Sequence, residues 1–214
     1  MKKKFLLEAV LILGLLACLA NPRAAVRADS SSTLPQLSEF VAAVANSQSD
    51  VVKGVYVPGV LADPVIQQPP EYPGYVSVVD GTLTQFSMAA QYGTLGFLAH
   101  NSLAGAAFPA LGPGQKVWVV YGDGHLAQYV ITEIDSYQAL QPDSPTSDFM
   151  DLASGVTYTV SDVFTKYYTG GDHVIFQTCI EQEGNSSWGR LFVVAQPAAA
   201  VAQSFGWTEG ISWK

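Results

Sequence analysis

Of the sequence's two cysteines and three arginines, Cys179 and Arg190, with a choice of three imidazoles, have the setting for reactive chemistry. Cys179 closes the segment Val174-Ile175-Phe176-Gln177-Thr178-Cys179, and Arg190 stands 11 residues further on. An ionised thiol is a strong nucleophile toward a carbonyl, and a nearby positive charge favours the ionised form. Cleaving an amide also needs an acid for the departing amine, and imidazole titrates in the right range. Arginine keeps its proton, so it serves as a planar hydrogen-bonding fork for a substrate carbonyl or an oxyanion. Together these residue types fit acyl transfer through a cysteine.

The histidines differ in their prospects. His125 lies in Gly122-Asp123-Gly124-His125, a hairpin turn open to solvent. His173 begins the cysteine segment, and six residues of strand put it roughly 20 Å from Cys179, too far to act on it. His100 ends the apolar run Gly93–Ala99 and is followed by Asn101, a pattern that places it at a barrel rim. From the residues alone it suits catalysis or a structural hydrogen bond equally. No His, Cys or acidic residues show convincing metal-ligand spacing, so neither metal nor cofactor is expected.

These residues must be positioned by strands. Val55-Tyr56-Val57 ends at the turn Pro58-Gly59, Tyr75–Val79 ends at Asp80-Gly81, and Gly93–Ala99 is short enough for a buried strand. Val117–Tyr121 and Leu126–Ile134 flank a hairpin turn, Val156–Val160 alternates, and His173–Cys179 and Leu191–Ala195 follow. Residues 63–74, rich in proline, and 135–155, rich in polar side chains, read as long loops. Helix is expected only over Ser38–Asn46, capped by Ser38, and over Asp162–Tyr168. Seven or eight short strands with little helix predict a mainly β chain, a closed or nearly closed β-barrel with a few short helices and long loops. Along the last strands, alternation puts Val174, Phe176 and Thr178 on one face and Ile175, Gln177 and Cys179 on the other. Glu181–Gly189 reads as a mobile polar loop that leaves Cys179 at a strand end, with Arg190 beside it at the start of the next strand.

The N-terminus predicts export. Lys2, Lys3 and Lys4 precede an apolar run, Phe5–Ala20, broken by Glu8, and small residues follow up to Ala28. Cleavage there gives a signal peptide, 1–28; alternatively Cys18 carries lipid, or the run stays as a membrane tether. Residues 29–49 then form a spacer and a short helix, 50–197 one catalytic domain, and 198–214 a tail. Losing the leader removes five of the 10 basic residues and one of the 18 acidic ones, leaving 5 against 17 and a net charge of −12. Nucleic acid and anionic lipid are poor partners for such a surface. Cys179 and Arg190 would be the sole cysteine and the sole arginine of the remainder. A single cysteine in an oxidising compartment points to a reactive thiol, an intermolecular bridge or an inert buried residue.

Several segments, in order, resemble one family. Thr178-Cys179 resembles the Thr-Cys signature of sortases, and Arg190-Leu191-Phe192-Val193-Val194 is similar to their arginine-led strand. Leu98-Ala99-His100-Asn101 through Phe108-Pro109-Ala110-Leu111 resembles their histidine segment, and Gly114-Gln115-Lys116-Val117 the opening of the next strand. Val55–Val60 with Asp63-Pro64-Val65 is similar to their first strand. The resemblance covers roughly residues 50–197 and departs from the family where Phe176 and Gln177 replace a Leu-x pair. It implies an eight-stranded sortase barrel with Cys179 as nucleophile, His100 as acid and base, and Arg190 as clamp for substrate and oxyanion. Thr178 and Asn101 are added as substrate or oxyanion contacts. The implied partners are a sorting-motif peptide of the Leu-Pro-x-Thr-Gly kind and an amine acceptor, or water. A hydrolytic Cys/His peptidase of the envelope and a non-catalytic barrel module are the competing readings.

Overall fold

The structure is a computed structural model that describes residues 34–204. The expected leader with Cys18, the first residues of the spacer and the end of the tail lie outside the described residues. Helix α1 (Leu37–Val44) is followed by β1 (Val52–Val57), β2 (Leu61–Gln67), β3 (Leu83–Gln85), the short α2 (Ser87–Ala90) and β4 (Leu95–Leu98). A 3-10 helix, η1 (Ala104–Ala110), leads to β5 (Lys116–Tyr121), β6 (Leu126–Ala139), β7 (Phe149–Asp151) and β8 (Thr157–Tyr158). Helix α3 (Val160–Tyr168), β9 (Val174–Gln182), β10 (Asn185–Pro197) and α4 (Ala198–Ser204) complete the described chain.

The sheet runs β10-β9-β4-β3-β2-β1-β5-β6, and β10 pairs back onto β6, so eight strands close into a barrel. β7 and β8 extend from β6 outside the ring. Most pairs are antiparallel, but β2–β3 and β4–β9 are parallel. The β4–β9 pair joins segments far apart in sequence and builds the site, with Leu95 opposite Val174 and Leu98 opposite Gln177.

Two cores sit on the two faces of this wall. Inside, Val55, Phe97, Ala99, Val117, Val174 and Phe176 pack with Leu191 and Val193. Outside, Tyr137, Tyr167, Tyr168, Ile175, Phe192 and Val194 form a second cluster beneath α3. Tyr167 stacks on Phe192 with ring centroids 4.1 Å apart, and Lys166 ties the helix to β6 through Asp135 (2.7 Å) and Glu133 (3.1 Å). Thr159 and Asp162 cap the start of α3 reciprocally, satisfying amides that a helix N-terminus leaves unpaired. In β6 the register slips between Ile131 and Glu133, opposite Ala195 and Val194. That bulge lets Ile131 point into the barrel and Tyr137 point out, although both are odd-numbered.

Several sequence expectations need correction. Tyr75–Val79 is extended but unpaired, and Val78 is 74% exposed; β3 begins only at Leu83. Residues 63–67, the start of the expected proline-rich loop, belong to β2. Pro64 is tolerated because pairing to β3 starts at Val65, so the missing N–H lacks a ladder partner only where one neighbour is absent. The expected loop 135–155 contains the end of β6 and all of β7, because alternating side chains there feed the outer core. Helix α1 starts at Leu37, with Gln36 and not Ser38 at the cap. The expected loop 181–189 is a β-hairpin, turning at Glu183 and Gly184, both with positive φ (55° and 77°). Cys179 therefore lies within a strand, not at its end.

Candidate active site

Cys179 and Arg190 are direct register partners on β9 and β10. Alternation places both on the outer face. Their neighbours Ile175, Phe192 and Val194 belong to the outer core, whereas Phe176, Leu191 and Val193 point inward. Directly opposite residues of antiparallel strands hold their Cβ atoms about 5 Å apart, so the thiol and the root of the guanidinium side chain are immediate neighbours. Cys179 is a free, partly exposed thiol.

His100 arrives from the other side of β9. The parallel register sets Leu98 against Gln177, and the Ala99 amide donates to the Gln177 carbonyl at 3.2 Å. Two residues along each chain, His100 falls level with Cys179. Ala99 belongs to the inner core, so alternation turns His100 outward, to the face that carries Cys179. The backbone register thus carries His100, two residues past the end of β4, to the level of Cys179, with Arg190 on the opposite side of β9. The chain turns away from β4 immediately afterwards. The His100 carbonyl accepts from the amides of Leu103 and Gly105, both at 3.0 Å, and η1 begins.

Thr178 holds these strands together from within. Its side chain is 3% exposed, and its hydroxyl donates to the Ala99 carbonyl at 2.9 Å. A Cβ on Gly105 would approach that hydroxyl to 2.4 Å, so glycine is needed where the chain passes beneath. The expectation that Thr178 touches substrate does not fit this placement: the hydroxyl faces the interior and is already engaged. Asn101, expected to face substrate, turns its amide to the β9–β10 hairpin and donates from Nδ2 to the Ser186 carbonyl at 3.0 Å.

Arg190 is oriented by its own hairpin. Its Nη1 donates to the carbonyls of Ser187 (2.9 Å) and Gly189 (2.8 Å), and its guanidinium carbon lies 6.0 Å from the centre of the Phe149 ring. Nε and Nη2 have no protein partner among the described residues and remain available to an acceptor oxygen. One strand beyond, Tyr137 is the register partner of Arg190 on β6, and it lines a cleft of about 550 Å³ with Tyr158, Val163 and Lys166. Its hydroxyl bonds that of Tyr167 at 2.7 Å, which in turn donates to Asp135. On β9 the Tyr168 hydroxyl donates to the Gln177 side chain, and burial raises the Tyr168 pKa above its ordinary value.

The other histidines lie elsewhere. His125 is exposed, bonds Asp123 at 2.5 Å and stacks on Tyr121. His173 is buried at the far end of β9, its Nε2 2.8 Å from the Tyr167 carbonyl. Among the described residues no group of three or more His, Cys, Asp or Glu side chains is placed to hold a metal ion. Sequence reasoning missed the hairpin bulge that orients Arg190; the run Asn185-Ser186-Ser187 carried no periodic signal that reveals it.

No family model matches the sequence, and no curated protein matches it. Solved structures do match. Sortase A of Listeria monocytogenes is 13% identical, with 74% of this chain and 99% of that chain covered and a TM-score of 0.44. Sortase C-1 of Actinomyces oris is 12% identical, covering 78% and 83% at a TM-score of 0.46. Pilus island 1 sortase C2 of group B Streptococcus is 15% identical, covering 78% and 82% at a TM-score of 0.47. In fold, the chain is similar to sortases.

Proposed function

We propose that this protein is an exported cysteine transpeptidase of the sortase type. The observation that supports the reading is the register: Cys179 lies opposite Arg190, and the pairing of Leu98 with Gln177 stops two residues short of His100 and Cys179 on the other side of β9. The thiol of Cys179 passes its proton to His100, and the thiolate sulfur attacks the carbonyl carbon of a substrate peptide bond. Electrons move onto the carbonyl oxygen, and the two unpartnered donors of Arg190 stabilise that oxyanion. As the tetrahedral intermediate collapses, the C–N bond breaks, and His100 delivers a proton to the departing amine. A thioacyl enzyme remains. An acceptor amine then attacks the same carbon, His100 takes its proton, and the C–S bond breaks to return the thiolate.

The substrate follows from the sequence resemblance: a sorting-motif peptide of the Leu-Pro-x-Thr-Gly kind, cut between Thr and Gly. The location outside the cytoplasm follows from the N-terminal pattern of Lys2–Ala28. Residues 50–197 are the proposed catalytic domain, preceded by a spacer with α1 and followed by the tail that opens with α4.

A peptide library incubated with the purified protein tests the reading, with and without added amines. Expected are a thioacyl adduct on Cys179 by mass spectrometry and a ligated product that grows with amine concentration. Cleavage without any ligation at high amine would make the enzyme a hydrolase. Absence of both cleavage and adduct across the library would overturn the proposal.

A further inference from the structure

One short segment touches both Arg190 and the residue that follows His100. On β10 the pairing passes from Asn185 to Gly189, while on β9 it passes only from Gln182 to Ile180. Ser186, Ser187 and Trp188 therefore bulge out of the ladder. The bulge has a fixed shape. Asn185 Oδ1 accepts from the Ser187 amide at 2.8 Å, and a Cβ on Gly189 would sit 2.4 Å from the Tyr137 carbonyl oxygen, so only glycine fits the close approach to β6.

The carbonyls of this segment face two ways. Those of Ser187 and Gly189 accept from Arg190 Nη1. That of Ser186 accepts from Asn101 Nδ2, a residue 85 positions away that directly follows His100. We infer that Asn101 is a positioning residue: its hydrogen bond to Ser186 fixes at once the loop that presents His100 and the bulge that orients Arg190. This rests on the transpeptidase reading of the row. Without the bond, the His100 turn and the hairpin tip are free to drift apart, and a displacement of about 1 Å in such a constellation lowers turnover by up to roughly a hundredfold.

The test uses the full chain. Asn101→Asp keeps the size and removes the donor; Asn101→Ala removes the side chain. In the peptide cleavage assay both variants are expected to lose about tenfold in kcat with KM within about twofold, the pattern of a misplaced reacting group and not of lost substrate binding. Combined with Arg190→Lys, Asn101→Ala is expected to lose less than the product of the two single effects, since both act on one unit. A second readout needs no peptide: the rate of Cys179 alkylation by iodoacetamide against pH. The Asn101→Ala profile is expected to move toward that of His100→Ala. Wild-type kcat in Asn101→Ala, or an alkylation profile indistinguishable from wild type, overturns the inference. If the wild-type protein alkylates normally but neither cleaves nor transfers any peptide, the transpeptidase reading fails, and the alkylation profile alone decides the role of Asn101.

Discussion

Replacing Thr178 by valine probes the joint between fold and site, because the two side chains have nearly the same shape. The hydroxyl of Thr178 is buried and donates to the Ala99 carbonyl at 2.9 Å. Valine removes the donor and leaves that carbonyl buried beside a methyl group, which costs about 1–3 kcal/mol. About 2 kcal/mol is expected in total. For a domain of this size that corresponds to roughly 4–8 °C in Tm. Urea unfolding measures it as a lower midpoint at unchanged slope. Thr178→Ser, which keeps the hydroxyl, is expected to stay within about 1 kcal/mol of wild type. Because Ala99 precedes His100, Thr178→Val is also expected to lower kcat/KM by about tenfold under conditions where it remains folded. A Thr178→Val variant as stable as wild type would refute the argument, since it would mean that the Ala99 carbonyl never depended on this bond.

Cys179→Ala is expected to abolish cleavage and transfer while keeping the wild-type Tm; residual turnover would remove Cys179 as nucleophile, and global unfolding would make it a core residue. Arg190→Lys is expected to lower kcat/KM at least tenfold, about 1.4 kcal/mol of transition-state stabilisation, and Arg190→Ala by about a hundredfold or more; a normal rate in Arg190→Lys would show that charge alone suffices. Asp63 is held up at about 6 by burial and by the nearby Asp80. Its folded pKa exceeds the unfolded value, so the native state binds the extra proton and stability falls as pH rises from about 4 to about 6. After allowance for solvent screening, Asp63→Asn is expected to stabilise the protein by about 1 kcal/mol at pH 7 and by nothing measurable at pH 4; a gain that is the same at both pH values contradicts the assignment. Mass spectrometry of the exported protein is expected to find Asp29 at the N-terminus, and a lipidated Cys18 would overturn that cleavage site.

How legible the molecule was in its sequence depended on the kind of signal. The run Val174–Thr178 and the Asp123-Gly124 turn carry their own periodicity and turn chemistry, and both were readable. So was the alternation that put Cys179 on the face of Ile175 and Gln177. Tyr75–Val79 has the composition of a strand but no partner, and composition does not reveal partners. The end of β6 was misread because Asp135 and Tyr137 serve an outer core that exists only once α3 has docked. The hairpin at 181–189 was misread because its polar side chains face solvent on a ladder that ordinary patterning does not mark. At its turn, Glu183 takes the left-handed conformation usually given to Asn or Gly.

The parallel pairing of β4 with β9 explains why the site sits where it does. The inside of the barrel is filled by Phe97, Phe108 and Phe176, whose rings pack at 5.3–5.7 Å, so no peptide can enter it. The proposed row therefore lies on the outside of the wall, beside the aromatic cluster beneath α3. Two strands carry the thiol and the guanidinium because β9 and β10 are consecutive, and a hairpin makes them neighbours at little entropic cost. The imidazole has no such local route. It comes level with Cys179 only when β4 closes onto β9, a closure that Thr178 fastens from inside through its bond to Ala99, 79 positions away. Assembly of the proposed row is thus coupled to closure of the barrel: a chain whose β9–β10 hairpin forms without β4 has the thiol beside its arginine but lacks the proposed acid, His100. On this argument, loss of activity and loss of inner-core packing should coincide in denaturant titrations, both preceding loss of the hairpin.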